Sequence, residues 1–433
     1  MFRLGVGWAP RGATGENGWF GVRLGARILA ASRLVRPGAV TVLALSWLVA
    51  FNLRSGFIGL GPALPALTVD LGLSFAQASF LVSVPTLMMG LMAVPGGALV
   101  DRWGPARVIA VGLALVSVGG GLRAIAPEFA PLLALTFLFG AGIGVSQPSL
   151  PRLMRSLFPL RLGVTTGIYA SGLVSGSIIA ASLTGPILDQ IGEPTAWRLP
   201  LTLWGILAGF VLLIWTAMMR PWRPPEAPVA SLVAPAITSG AAKWSPWRDG
   251  RAWISALIFA AQGLVYYLMV AWLPAIYGEA GTSATATAGL FAVFNAATLP
   301  AILFFPSWSD RLKRRRVPTI VASSLFLSGV LGLLALPLAD PWRWLWPALA
   351  GAGVSGVFAM SLVLPADIAP PGRTGVAAGM VLAVGYAASA VGPIIAGVVR
   401  DVTGSFDATL LLLPAIGVTM IALAAIAPEL PTE

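Results

Sequence analysis

"LPALTVDLGLS" at residues 64–74 returns as "LPAIYGEAGTS" at residues 273–283, 209 positions later. Both copies place an acid five positions after the proline, then Gly and Ser in register. The same offset carries "ALVDRW" (98–103) onto "SWSDRL" (307–312), so Asp101–Arg102 meets Asp310–Arg311. Farther along, "RLGVTTG" (161–167) meets "RTGVAAG" (373–379) at an offset of 212, and "GAGIG" (140–144) meets "GAGVS" (351–355). Matches in one order at nearly one offset mean that the chain repeats itself as two halves.

What repeats is apolar. The 433 residues are 57% hydrophobic and 10% charged, with a mean hydropathy of +0.88. Too little polar surface remains to face water, so lipid is the expected solvent and the bilayer an expected partner. Apolar windows near the length of a bilayer core fall at 42–64, 78–98, 107–125, 131–150, 163–187 and 199–218. After a polar gap they resume at 253–276, 286–308, 317–337, 345–366, 375–398 and 408–427. The fold class is therefore an all-α membrane protein of twelve transmembrane helices in two six-helix, pseudo-symmetric halves. The expected divisions are a tail (1–39), a first half (40–219), a linker (220–250) and a second half (251–433). The tail is basic and lacks the apolar core of a secretory signal. The linker, with its "RPWRPPEAP", is expected to be extended and is too short for a signalling or catalytic domain.

The net charge of +11 is explained by location. Of 27 basic residues, 22 fall on one side of the twelve-span path, while Arg123, Arg198, Arg343 and Arg400 fall on the other. An excess of Lys and Arg marks the cytoplasmic face, which places both termini in the cytoplasm of a cell whose plasma (inner) membrane holds the chain. A nucleic-acid partner is not needed to account for the charge. The absence of Cys and His removes thiol catalysis and the usual transition-metal sites. No catalytic residue, metal site or cofactor is expected, and an enzyme is not.

Two six-helix halves related by an axis along the membrane normal are the architecture of a rocking transporter. "GALVDRWGPAR" (97–107) resembles the signature loop between helices 2 and 3 of the major facilitator superfamily, with Gly97, Leu99, Asp101, Arg102, Gly104 and Arg107 at pattern positions. The second copy keeps Asp310 and Arg311 but has Pro306 and Lys313 where glycines are expected. Within the superfamily, "NLR" (52–54) with "GP" (61–62), "GLRAIAP" (121–127), "WLPAIYGEAGTSATATAGL" (272–290) and "VGYAASAVGPIIAGVVRD" (384–401) resemble the cyanate-porter and nitroimidazole-exporter branch. The resemblance implies a conformational latch on the cytoplasmic side, formed by Gly97, Asp101, Arg102, Gly104, Arg107, Asp310 and Arg311. It also implies a monomer that binds a small-molecule substrate between its halves.

"FNLRSGFIGLGP" (51–62) puts Arg54 in the middle of the first span. Arginine at such depth costs roughly 2.5–3.5 kcal/mol and normally faces a wet cavity. It does not lose its proton. All sixteen acids fall outside the spans or at their edges, so no carboxylate is expected beside it. Anion binding is the reading preferred, with backbone carbonyls or a contact between the halves as the alternatives. One fixed cation suits a monoanion, because the repeat partner of Arg54 is Gly263, preceded by Gln262. Asn52, Tyr169, Gln262, Tyr266, Asn295 and Tyr386 are further candidates for the substrate site, as amides and phenols able to donate to an anion. Tyr267 falls in the same spans. Gly172 with Gly176, and Gly375 with Gly379, have the spacing that lets helices approach and slide, or simply pack tightly. No His and no mid-span acid is available for a proton relay, which favours uniport or exchange. The expected function is secondary transport of a small organic or inorganic monoanion by alternating access. The alternatives are export of neutral or weakly charged toxic compounds, and a non-transporting sensor.

Overall fold

The computed structural model describes residues 38–158, 162–219, 244–335, 342–370 and 373–429. The tail up to residue 37 and the linker stretch 220–243 lie outside them. Eleven continuous spans and one bent pair occupy the described residues. In the first half they run Ala39–Asp70 (span 1), Phe75–Leu91 with Pro95–Trp103 (span 2, bent by 56°), Pro105–Ile125, Phe129–Leu157, Val164–Ile191 and Pro194–Met219. Spans 7 to 12 are Gly250–Glu279, Ala284–Leu312, Arg316–Leu334, Trp342–Ile368, Thr374–Thr403 and Asp407–Ala425. Each expected window coincides with one of these spans; most run past the apolar stretch, whereas those at 317–337 and 408–427 end at Leu334 and Ala425. Spans 6 and 12 turn Ile206, Phe210, Leu213, Leu411 and Val418 outward. A surface of that kind is soluble only in hydrocarbon.

The quoted repeat is a helix-turn-helix corner. Gly72 and Gly281 both take positive φ (58° and 81°), which side-chain-bearing residues rarely adopt. Two residues later the repeated serine caps the next helix. Ser74 accepts from the Gln77 amide at 3.1 Å and Ser283 from the Ala286 amide at 3.3 Å. At Ser74 the Gln77 side chain returns to the serine amide (3.0 Å), completing a reciprocal cap. These corners lie on the face away from the start of span 1 and the end of span 12. That face is called the far face below, and the other the terminal face.

The signature loop keeps a positive φ at both repeat positions but not the same turn. Gly104 ends span 2 at φ 79°, ψ 154°, and Lys313, 209 positions later, ends span 8 at φ 52°, ψ 35°. Lysine sits in the left-handed helical region, which a side chain tolerates, whereas the conformation of Gly104 is glycine's own.

Within each half, span 1 packs on span 5 and span 7 on span 11. Between halves, span 2 meets span 11, and span 5 meets span 8. Gly172 and Gly176 lie against the carbonyls of Trp47 and Phe51 in span 1. They are tight packing inside the first half, the second of the two readings that their spacing allows. Gly375 and Gly379 face open space, as do Gly97 and Gly167, at the terminal-face ends of spans 11, 2 and 5.

Gly104 (φ 79°, ψ 154°) occupies backbone space that essentially only glycine tolerates, so Gly104→Ala is expected to cost about 1–3 kcal/mol. Gly97→Ala adds its methyl to open space and is expected to change stability by less than about 0.5 kcal/mol. Thermal unfolding of the two purified variants checks the contrast. Equal losses would mean that the turn at Gly104 is not under this constraint.

Candidate functional site

Arg54 is half-buried where the halves meet. Its Nη2 donates to the Tyr266 hydroxyl of span 7 at 3.0 Å. That hydroxyl donates onward to the Asn295 side-chain oxygen of span 8 at 3.5 Å. Asn295 in turn is held by its own donation to the Phe291 carbonyl (2.9 Å). The guanidinium carbon stands 5.7 Å from the Tyr266 ring centre and 5.9 Å from that of Phe57. Tyr267 packs edge-on against Tyr266 with ring centres 5.1 Å apart. Across the cleft, Tyr386 of span 11 accepts from Gln147 of span 4 at 2.8 Å.

The nearest candidate acids are engaged elsewhere. Asp70 pairs with Arg198 (3.1 Å), Glu279 with Arg400 (2.8 Å) and Asp367 with Arg315 (2.8 Å). Arg54 thus has a phenol and aromatic faces as neighbours, and no carboxylate among its described partners. A cation so placed needs water or an anion to complete its hydrogen bonds. Two amide oxygens nearby, those of Gln147 and Gln262, are buried without a hydrogen-bond partner.

The structure sorts the expected site residues. Arg54, Tyr266 and Asn295 form one connected chain, and Tyr386 joins Gln147 as the second link between the halves. Gln262 lies one turn from Tyr266 on the same helix face and is buried (4% exposed). Asn52 does not join the cluster. Two residues from Arg54 on a helix, it points to the opposite side, where its amide reaches the Trp204 carbonyl at 3.5 Å. Tyr169 is half-buried in span 5, one turn from Gly172, and is not among the described partners of Arg54. Gln147 was not among the expected residues, although a polar residue within the fourth apolar window was its signal. The break between helices Phe129–Ser146 and Ser149–Leu157, with Pro148, frees it to cross the cleft.

Hydrogen bonds between the halves are strongest at the far face. The Asp401 carboxylate, at the end of span 11, accepts from the amides of Phe75 and Ala76 at 2.9 and 2.8 Å, at the start of span 2. Asp189, at the end of span 5, accepts from the Thr285 amide at 2.7 Å, at the start of span 8. Asp189 and Asp401 are 212 positions apart, and Ala76 and Thr285 are 209 apart. Each half therefore caps a helix of the other, with a negative charge on the positive end of the helix dipole. One turn back, Gly185 meets Ala284 and Gly397 meets Phe75 at backbone distance. These two glycines are also 212 positions apart.

At the terminal face the carboxylates bind within their own half. Asp101 pairs with Arg152 of span 4, which also donates to the Gly97 carbonyl at 3.2 Å. Asp310 and Asp367 share Arg315 at 2.6 and 2.8 Å. Burial alone would lower the Arg315 pKa, but the hydrogen bonds to Asp367 and Asp310 raise it above its ordinary value, so it stays charged. Arg102, Arg107 and Arg311 are exposed.

The family model described as Major Facilitator Superfamily matches residues 46–393. The chain belongs to the major facilitator superfamily. It is 29% identical over 360 residues to the cyanate transport protein CynX of Escherichia coli, covering 83% of this chain and 90% of that one. It is 25% identical over 387 residues to the 2-nitroimidazole transporter of the same species, covering 89% and 93%. Among solved structures, a bacterial homologue of the human lysosomal transporter Spinster, in an inward-facing and unoccupied conformation, superposes with a TM-score of 0.69. That likeness is at 18% identity and covers 90% of this chain and 92% of that one. Within a major facilitator fold, contacts at the far face with open glycines at the terminal face describe one end state of a rocking cycle.

A side chain at Gly185 or Gly397 would overlap the backbone of span 8 or span 2. Gly185→Leu and Gly397→Leu are therefore expected to hold the far face open. In this cysteine-free chain, a cysteine placed at Thr282 should label several-fold faster in either background. Gly375→Leu, at a position where an added Cβ meets nothing within 4 Å, should not accelerate labelling. Unchanged labelling in both gate variants would show that these glycines do not govern closure.

Proposed function

We propose that the protein carries a small organic or inorganic monoanion across a bacterial inner membrane by alternating access. Cyanate- or nitrite-like ions and small carboxylates fit the class. The observation that carries this reading is Arg54, a permanent cation at the junction of the halves whose described partners include a phenol but no carboxylate. A planar oxyanion can take two parallel bonds from a guanidinium while Tyr266 adds a third donor. The charge asymmetry supports a terminal face, and with it both termini, on the cytoplasmic side. The cleft then opens inward, and the cyanate named for one relative lends the class support.

The charge also supplies a rule for switching. Rocking carries Arg54 through a stage in which the cleft is closed at both faces. Drying an unpaired guanidinium costs several kcal/mol, whereas a guanidinium already paired to an anion costs less. The loaded carrier crosses more readily than the empty one, which gives exchange or uniport without a protonatable side chain. When the terminal face closes, the loop carboxylates Asp101 and Asp310 leave Arg152 and Arg315 to latch that face. The aromatic surroundings of Arg54 favour a second reading, export of a neutral planar ring such as a nitro-heterocycle.

Arg54→Ala is expected to weaken anion binding roughly ten- to a hundred-fold, the worth of about 1.5–3 kcal/mol for a charge-assisted bond. Its melting temperature without ligand should stay level or rise, because an uncompensated cation has been removed from the membrane. Arg54→Lys should recover part of the affinity. Calorimetry with cyanate, nitrite and acetate, run beside thermal unfolding of each variant, checks this. Normal anion binding by a destabilised Arg54→Ala would end the anion-site reading, and Arg54-independent binding of a neutral nitro-heterocycle would favour the second.

Asp101→Asn is expected to slow flux in proteoliposomes while leaving equilibrium affinity nearly unchanged, because it biases the conformations without touching the site. Loss of binding in the folded variant would place Asp101 in the site instead.

A further inference from the structure

The two far-face caps differ in what fills the space beside them. Beside Asp401, Arg400 pairs with Glu279 at 2.8 Å and lies over the rings of Phe75 and Phe406, at 4.7 and 5.5 Å. The repeat keeps an acid, Asp70 for Glu279, but changes other groups beside Asp189. Leu188 stands for Arg400, Ala284 for Phe75, Thr282 for Leu73 and Gly278 for Val69. What remains is a cavity of about 350 Å³. It is lined from the first half by Pro62, Leu188, Asp189 and Glu193, and from the second by Ala284 and Thr287, among others.

Its chemistry is specific. Asp189 spends one carboxylate oxygen on the Thr285 amide, and exposed Glu193 holds only a long contact from Thr195 at 3.4 Å. No lysine or arginine lines the cavity, and the nearby Arg198 is already paired with Asp70. Thr287 is only 4% exposed, yet its buried hydroxyl has no hydrogen-bond partner. Two carboxylates, an unused hydroxyl and apolar walls of Pro62 and Leu188 suit a small organic cation. The other half shows which kind fits this corner of the fold, because a guanidinium occupies it there.

We propose that this cavity is a second site, distinct from the cleft at Arg54, which takes a guanidinium-bearing organic cation from the far face. The occupant holds that face shut. Both halves contribute walls, so the cavity exists only while spans 5 and 8 are in contact, and a ligand that binds one conformation alone shifts the population toward it. The site does not depend on the identity of the transported substrate.

The test uses n-propylguanidine and its neutral isostere n-propylurea on the purified full-length protein. Propylguanidine should raise the melting temperature in a saturable way and slow labelling of a cysteine at Thr282 several-fold, while propylurea does neither. Leu188→Arg supplies the guanidinium from the chain itself and should abolish the response. Glu193→Gln, an exposed substitution that leaves the fold undisturbed, should weaken the apparent affinity about three- to five-fold, as loss of a partly exposed ion pair does. The absence of any response to propylguanidine would overturn the proposal. So would equal responses to the two compounds, or an undiminished response in both variants.

Discussion

A guanidinium keeps its charge at any pH the cell meets, and hydrocarbon does not tolerate it bare. Arg54 imposes that constraint at the centre of this fold. The helices around it must leave room for water or an anion, and the opposite half must offer polar atoms rather than more leucine. Tyr266, Asn295 and Tyr386 are those atoms, and the bonds from Arg54 to Tyr266 and from Gln147 to Tyr386 cross between the halves at this depth. The proposed binding site and the joint between the halves are therefore built from the same side chains. A ligand that takes the guanidinium from Tyr266 necessarily alters how firmly the halves are tied together.

Closure of the far face follows a different physics. It adds to the packing of Phe75 on Trp272 and Phe406 a set of carboxylates on the bare amides at helix starts. Four amides at every helix N-terminus lack partners within the helix, and a membrane protein must satisfy them. Here three of those amides, at Phe75, Ala76 and Thr285, are satisfied across the interface between the halves, by Asp401 and Asp189. The glycines at 185 and 397 bring the backbones close enough for those bonds to form. The symmetry of the closure is the symmetry of the gene's two halves.

The sequence carried the spans and the repeat because both are patterns of residue type at fixed spacing. Arg54 and Tyr266 were legible for the same reason, as polar groups in apolar runs. What could not be read was direction. Asn52 and Arg54 look alike in a string, yet a helix sends them to opposite sides. Gly172 and Gly176 have the spacing of an interface but turn into their own half. The caps at Asp189 and Asp401 were hidden because their partners are main-chain amides, which every residue has. Arg152 and Arg315 likewise reveal their pairing with Asp101 and Asp310 only once the helices are placed.

A bond between a side chain and a main-chain amide has one heritable partner. If Asp189 is lost, no substitution at Thr285 can restore what it did, because the amide at that position is the same whatever residue stands there. An ion pair can be swapped end for end by two mutations, and this contact cannot. The far-face closure therefore has no compensating path except through its repeat mate at Asp401, and a comparison of related chains that looks for paired changes would find none at Thr285. The two halves insure one another where neither can repair itself.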